Sequence, residues 1–81
     1  MTTEEIYQTI TPIFRSELDN DSIELRPNMT AMDVETWDSI TNIQLIVAIE
    51  KKLGIRFTSK EIQGFKNVGE LVASIEAKKS A

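Results

Sequence analysis

The sequence predicts an all-α fold: a four-helix bundle with a long loop between the first and second helices and a short third helix. Three observations lead there. Apolar residues recur at helical spacing in the longer stretches. No segment alternates long enough to make a strand. Ser, Thr, Asp and Asn stand where helices should open, and glycines where they should close. At 81 residues the chain is expected to form one domain, 1–81, without repeat or linker.

The first helix is expected over about Thr3–Leu18. Ile6, Tyr7, Ile10, Ile13, Phe14 and Leu18 fall on one side at about 100° per residue. Pro12 interrupts the pattern on the polar side, and either a kink or a break is compatible with it. From Asp19 to Asp38 the periodicity fails, with turn formers at both ends. A loop of ~20 residues is long for a small domain and calls for anchors. Ile23, Leu25, Met29, Met32, Val34 and Trp37 are the candidates.

The second helix is expected over Ser39–Leu53, with Asp38 or Ser39 as N-cap and Gly54 beyond its end. Lys51 and Lys52 suit the negative end of its dipole. Its larger apolar side chains spread over roughly 220° of the wheel, wider than the usual stripe of just over ~100°. Leu45, Ile46, Ile49 and Leu53 can face a core; Ile40, Ile43 and Val47 are then left at one edge, as a docking surface would be. A connector follows, anchored by Ile55 and Phe57. Thr58-Ser59-Lys60-Glu61 matches a capping box and opens a short helix carrying Ile62 and Phe65, closed at Gly64. Asn67 caps the last helix, which places Val68, Leu71, Val72 and Ile75 at core spacing before a tail, Ala77–Ala81, expected to fray.

Composition excludes several function classes. The chain has no Cys and no His. Disulfide and thiolate chemistry are therefore absent, and zinc, haem and iron–sulfur sites lose their usual ligands, so no metal site is expected. A Ser–His pair is impossible, and self-contained catalysis is not expected. The net charge is −4, against the basic footprint that nucleic-acid binding requires. The opening MTTEEIYQTI lacks a signal peptide's basic start, and the longest apolar run, Leu45–Ile49, is far short of a membrane span. A cytoplasmic location without membrane insertion is expected. Asp19-Asn20-Asp21 begins like a calcium loop, but Ile23, Glu24 and Thr30 occupy positions that would need an acid, a glycine and a glutamate.

The candidate functional feature is Asp38-Ser39-Ile40 at the mouth of the widest apolar helix. As residues alone, Asp38 and Ser39 are common cap types and need be nothing more. The position nonetheless suits a serine bearing an anion, because a helix start offers N–H groups and partial positive charge. Ser39 has no neighbouring base to make it a nucleophile on its own.

Trp37-Asp38-Ser39-Ile40, followed by Ile43, Leu45 and Glu50, resembles the signature of the acyl carrier protein family: Asp-Ser-Leu, an aliphatic residue three further on, then a leucine and a glutamate. The later run from Gly54-Ile55 to Asn67-Val68-Gly69-Glu70-Leu71 follows the family pattern too, so the resemblance spans essentially the whole chain. It implies a bundle of acyl-carrier type, a non-catalytic carrier that is a substrate for other enzymes. It implies 4′-phosphopantetheine on Ser39, added by a phosphopantetheinyl transferase that recognises the flanking Asp38 and Ile40. It implies acyl or aminoacyl cargo held as thioesters and exchanged with acyl-transferring or condensing enzymes of a fatty-acid-like, polyketide-like or other specialised pathway. Docking would use Ile40, Ile43, Gln44, Val47 and Glu50, and an acyl chain would lodge near Leu45, Ile46, Ile62 and Leu71. The family default is a monomer. Trp37 could either shield the base of the arm or plug the loop into the core. An unmodified helical interaction module using the same apolar edge is the alternative.

Some features depart from the family. Fatty-acid carriers usually have a strongly acidic second helix; here Glu50 is its one acid, beside Thr41, Gln44, Lys51 and Lys52. Ile40 replaces the usual leucine, Glu35-Thr36-Trp37 stands where Leu-Gly often does, and the Gly-Gly-His of peptidyl carriers is missing. These differences point to a discrete carrier of a dedicated pathway.

Overall fold

In the computed structural model, which describes residues 1–80, the elements are α1 (Thr3–Glu17), a 3₁₀ turn (Ala31–Asp33), α2 (Ser39–Leu53), α3 (Ser59–Gly64) and α4 (Val68–Ser80). No strand occurs among the described residues. α1 packs on both α2 and α4. The core is mainly aliphatic, with Phe14 and Phe57 its buried rings. Ile6, Ile10 and Phe14 come from α1, Leu45, Ile46, Ile49 and Leu53 from α2, and Val68, Leu71, Val72 and Ile75 from α4.

Local chemistry explains the boundaries. Thr2 and Glu5 form a reciprocal capping box that opens α1. Pro12 neither breaks α1 nor enters the core; the helix runs through it with the proline on the exposed side. Pro12 cannot donate to the preceding turn; on either side of it the Thr9 and Thr11 hydroxyls donate to the carbonyls four residues earlier, Glu5 (2.8 Å) and Tyr7 (2.6 Å). α2 closes on Gly54 in the left-handed region, φ 67° and ψ 37°. Lys79 Nζ reaches back to the Leu53 carbonyl at 3.0 Å. The tail expected to fray from Ala77 is helical as far as Ser80; Ala81 lies outside the described residues.

The long loop is strapped down at several points. Arg15 Nε donates to the Ile23 carbonyl (2.9 Å) and Thr36 Oγ1 to the Leu18 carbonyl (2.6 Å). The amides of Val68 and Gly69, left without helical acceptors at the start of α4, donate to the carbonyls of Met29 and Pro27, both at 2.8 Å. Ile23, Met29 and Val34 are buried, and Leu25 and Trp37 pack against the core. Met32 is not an anchor: it is 95% exposed. The Thr30–Asp33 capping box winds the 3₁₀ turn so that Met32 faces away.

Gly69 is required by this strap. A Cβ there would lie 2.9 Å from the Pro27 carbonyl oxygen, a backbone atom. Gly69→Ala should therefore cost about 1–3 kcal/mol through forced displacement of the loop. Urea unfolding checks this, and a loss below ~0.5 kcal/mol would show that the strap yields.

α3 buries no residue fully; Ile62 packs against the core and Glu61 makes polar contacts to its neighbours. Glu61 accepts from the Thr58 amide and pairs with Lys78 of α4 at 2.9 Å; Lys78 also lies over the Phe57 ring. The Thr58 backbone bond, then Lys78, lower the Glu61 carboxyl to about 2. The folded-state value is below the unfolded one. Its stabilisation is thus present above the unfolded value of 4.5 and is lost as pH falls through about 2. Wild type should exceed Glu61→Gln in thermal midpoint near neutral pH, with the gap closing on acidification. A gap independent of pH would sink this account.

Candidate functional site

Asp38 settles the cap question at α2. Its Oδ1 accepts from the amides of Ile40 and Thr41, both at 2.9 Å, while its own amide donates to Thr41 Oγ1 at 2.8 Å. The Thr41 backbone bond, with lesser help from the Thr41 hydroxyl and the Ile40 amide, holds the Asp38 carboxyl below its usual range. Asp38 therefore stays charged at neutral pH. Sequence reasoning expected the helix start to offer free N–H groups to an anion on Ser39. Two of those groups are instead taken by a carboxylate.

Ser39 is the first residue of α2 and is exposed. The hydroxyls on either side are engaged. Thr36 Oγ1 donates to Leu18, and Thr41 Oγ1 donates to the Thr36 carbonyl at 2.9 Å. Ser39 is thus presented outward on a rigid helix end, between two threonines that brace the turn.

A cavity of about 280 Å³ opens beside it. Its mouth is formed by Asp38, Ser39 and Asn42 of the α2 start, Thr30 and Ala31 of the loop, and Lys66 and Asn67 between α3 and α4. Its apolar wall is Trp37, Ile46, Ile62, Phe65 and Leu71. Of the four residues expected to line such a space, Ile46, Ile62 and Leu71 do so. Leu45 does not line it; this side chain is fully buried in the core.

Trp37 belongs to both core and cavity. Its ring meets Phe14 edge-on, with centroids 5.3 Å apart at 88°. Its Nε1 donates to Asn42 Oδ1 at 3.0 Å. The single indole thus plugs the loop into the core and forms a wall beside Ser39.

The docking candidates separate by exposure. Ile40 (68%), Ile43 (61%) and Val47 (41%) form an exposed apolar stripe along α2, with Gln44 beside them. Glu50 is half-buried, and its Oε2 accepts from the Phe57 amide at 2.8 Å. It ties the connector to α2. Asn42, Lys66 and Thr30 were not assigned to the site from the sequence, and Phe65 was read only as an apolar residue of the short helix, which ends one residue before it at Gly64. Asn42, three residues after Ser39 on one helix, left a local signal.

Residues 8–75 match the family model described as phosphopantetheine attachment site. An acyl carrier protein of Prochlorococcus marinus (strain MIT 9515) is 30% identical over 79 residues, covering 98% of this chain and 99% of the relative. Acyl carrier protein MbtL of Mycobacterium tuberculosis (strain H37Rv) is 34% identical over 70 residues, covering 86% of this chain and 83% of its own. The solution NMR structure of a holo acyl carrier protein from Geobacter metallireducens superposes with a TM-score of 0.87 at 39% identity, covering 93% of this chain and 86% of that one.

Proposed function

The chain belongs to the acyl carrier protein family, and from that premise we propose that Ser39 is the residue that carries its 4′-phosphopantetheine group. The carrying observation is the position of Ser39, exposed on the first turn of α2 at the mouth of a largely apolar cavity. The residues present fit the group. The serine oxygen is accessible for a phosphodiester, and the cavity wall of Ile46, Ile62, Phe65 and Leu71 suits an acyl chain folded back toward the bundle. When bound, the group supplies the thiol on which acyl cargo is held as a thioester, a function the cysteine-free chain cannot provide. The chain's own contribution is to present the attachment oxygen on a fixed helix end and to shelter apolar cargo from water.

On this reading the chain acts as a single, non-catalytic carrier domain that partner enzymes load and unload in the cytoplasm. The distribution of charge on α2 supports a dedicated, specialised pathway. Its one acid, Glu50, is bonded to the connector, and its exposed face is apolar with Lys51 and Lys52 at the end. Partners built to attract a strongly acidic helix would find little here.

The test is incubation with coenzyme A and a broad-specificity phosphopantetheinyl transferase, followed by intact mass. A gain of one phosphopantetheinyl group is expected, and no gain contradicts the reading. An enzyme that reaches Ser39 must also cover the neighbouring stripe. Ile43→Asp should therefore lower kcat/KM for loading by about 10–100-fold, as loss of an interface anchor does, with the thermal midpoint of the apo protein unchanged. Equal loading rates would remove Ile43 from the docking surface.

A further inference from the structure

A phosphodiester on Ser39 would be an anion, and the structure limits which side chains can offer it a counter-charge. The Asp38 carboxylate holds the Ile40 and Thr41 amides, so those donors at the helix end are spent and a fixed negative charge stands one residue from Ser39. Among the side chains lining the cavity at Ser39, Lys66 is the one cation and Asp38 the one anion.

Lys66 sits on a fixed piece of backbone. Its amide donates to Glu70 Oε1 at 3.0 Å, and the following Asn67 side chain accepts from the Glu70 amide at 2.9 Å. Its side chain is exposed. Lys66 forms no ion pair among the described residues, so its ammonium is not committed to a carboxylate. The acids that neighbour it are Asp38 on the cavity mouth and Glu70 one turn into α4.

We propose that Lys66 is a positioning residue for the prosthetic group: its ammonium pairs with the phosphodiester on Ser39 and turns the first segment of the arm toward the cavity. The proposal rests on Ser39 as the attachment residue. It assigns to the α3–α4 connector the charge compensation that the α2 N-terminus, occupied by Asp38, does not supply.

The test compares apo and holo forms of wild type, Lys66→Gln, Lys66→Arg and Lys60→Gln. Lys60 is an exposed lysine of α3 that does not line the cavity. Holo protein is made with coenzyme A and a broad-specificity transferase and confirmed by intact mass. At low salt, conversion to the holo form should raise the thermal midpoint of wild type relative to that of Lys66→Gln by about 2–4 °C, the scale of one exposed ion pair in a small domain. The gap should close near ~0.5 M salt. Lys66→Arg should behave as wild type, as should Lys60→Gln. The ³¹P resonance of the holo protein should move in Lys66→Gln and not in Lys60→Gln, and this signal decides if the two readouts disagree. A ³¹P resonance unchanged by Lys66→Gln overturns the proposal while leaving Ser39 as the attachment residue. Absence of any mass gain in wild type overturns the attachment reading and this proposal with it.

Discussion

Phe14→Ala is expected to destabilise the protein by about 3–5 kcal/mol, the range for removing a fully buried aromatic ring. Phe14 is the largest completely buried side chain, at the point where α1 meets the rest of the bundle. A domain of this size has roughly 4–12 kcal/mol of total stability, so the variant should lie near the edge of folding. The damage should reach the functional site by a definite route. The ring supports Trp37 edge-on, and Trp37 in turn holds Asn42 and walls the cavity beside Ser39. Urea unfolding followed by circular dichroism measures the loss, and emission from the single Trp should shift red in the folded variant. Met32→Ala serves as the contrast. That side chain is 95% exposed, and its removal should change stability by less than about 0.5 kcal/mol. A Phe14→Ala cost below ~1 kcal/mol would contradict the packing described.

The helices were legible in the sequence because their ends are chemically marked. Asp38, Thr58 and Asn67 act at the N-termini as their residue types indicate, and Gly54 adopts the left-handed conformation that ends α2. The over-wide apolar arc of α2 was legible as well. A helix that is apolar on too many sides must leave some of them exposed, and Ile40, Ile43 and Val47 are the ones left.

The loop was less legible, because without a period nothing in the order of residues says which apolar side chain turns inward. Val34 does and Met32 does not, and the difference lies in a 3₁₀ turn fixed by Thr30 and Asp33. The spacing of Thr30 and Asp33 was the available signal. The cavity was only partly legible. A helical wheel tells which side of α2 a residue occupies, but not which neighbour fills the space opposite. Leu45 and Ile46 are both buried, yet only Ile46 borders the cavity, whose other apolar walls come from the loop, α3, the α3–α4 connector and Leu71 of α4. Phe65 and Lys66 join Ser39 only through the packing of segments distant in sequence.

The other large expected effect is on loading itself, through Ser39→Ala. The substitution should leave the fold intact, because the α2 cap is made by Asp38 and the removed hydroxyl is exposed. Alanine is also well tolerated in a helix. The neighbouring hydroxyls are poor substitutes. Thr36 is bonded to the end of α1, Thr41 to the Thr36 carbonyl, and Thr30 to the Asp33 carboxylate. Removing one oxygen should therefore abolish loading completely rather than slow it. The decisive measurement is the intact mass of Ser39→Ala after incubation with coenzyme A and transferase under conditions that fully load the wild type. The account predicts the unmodified mass, and a gain of one phosphopantetheinyl group in Ser39→Ala would contradict it.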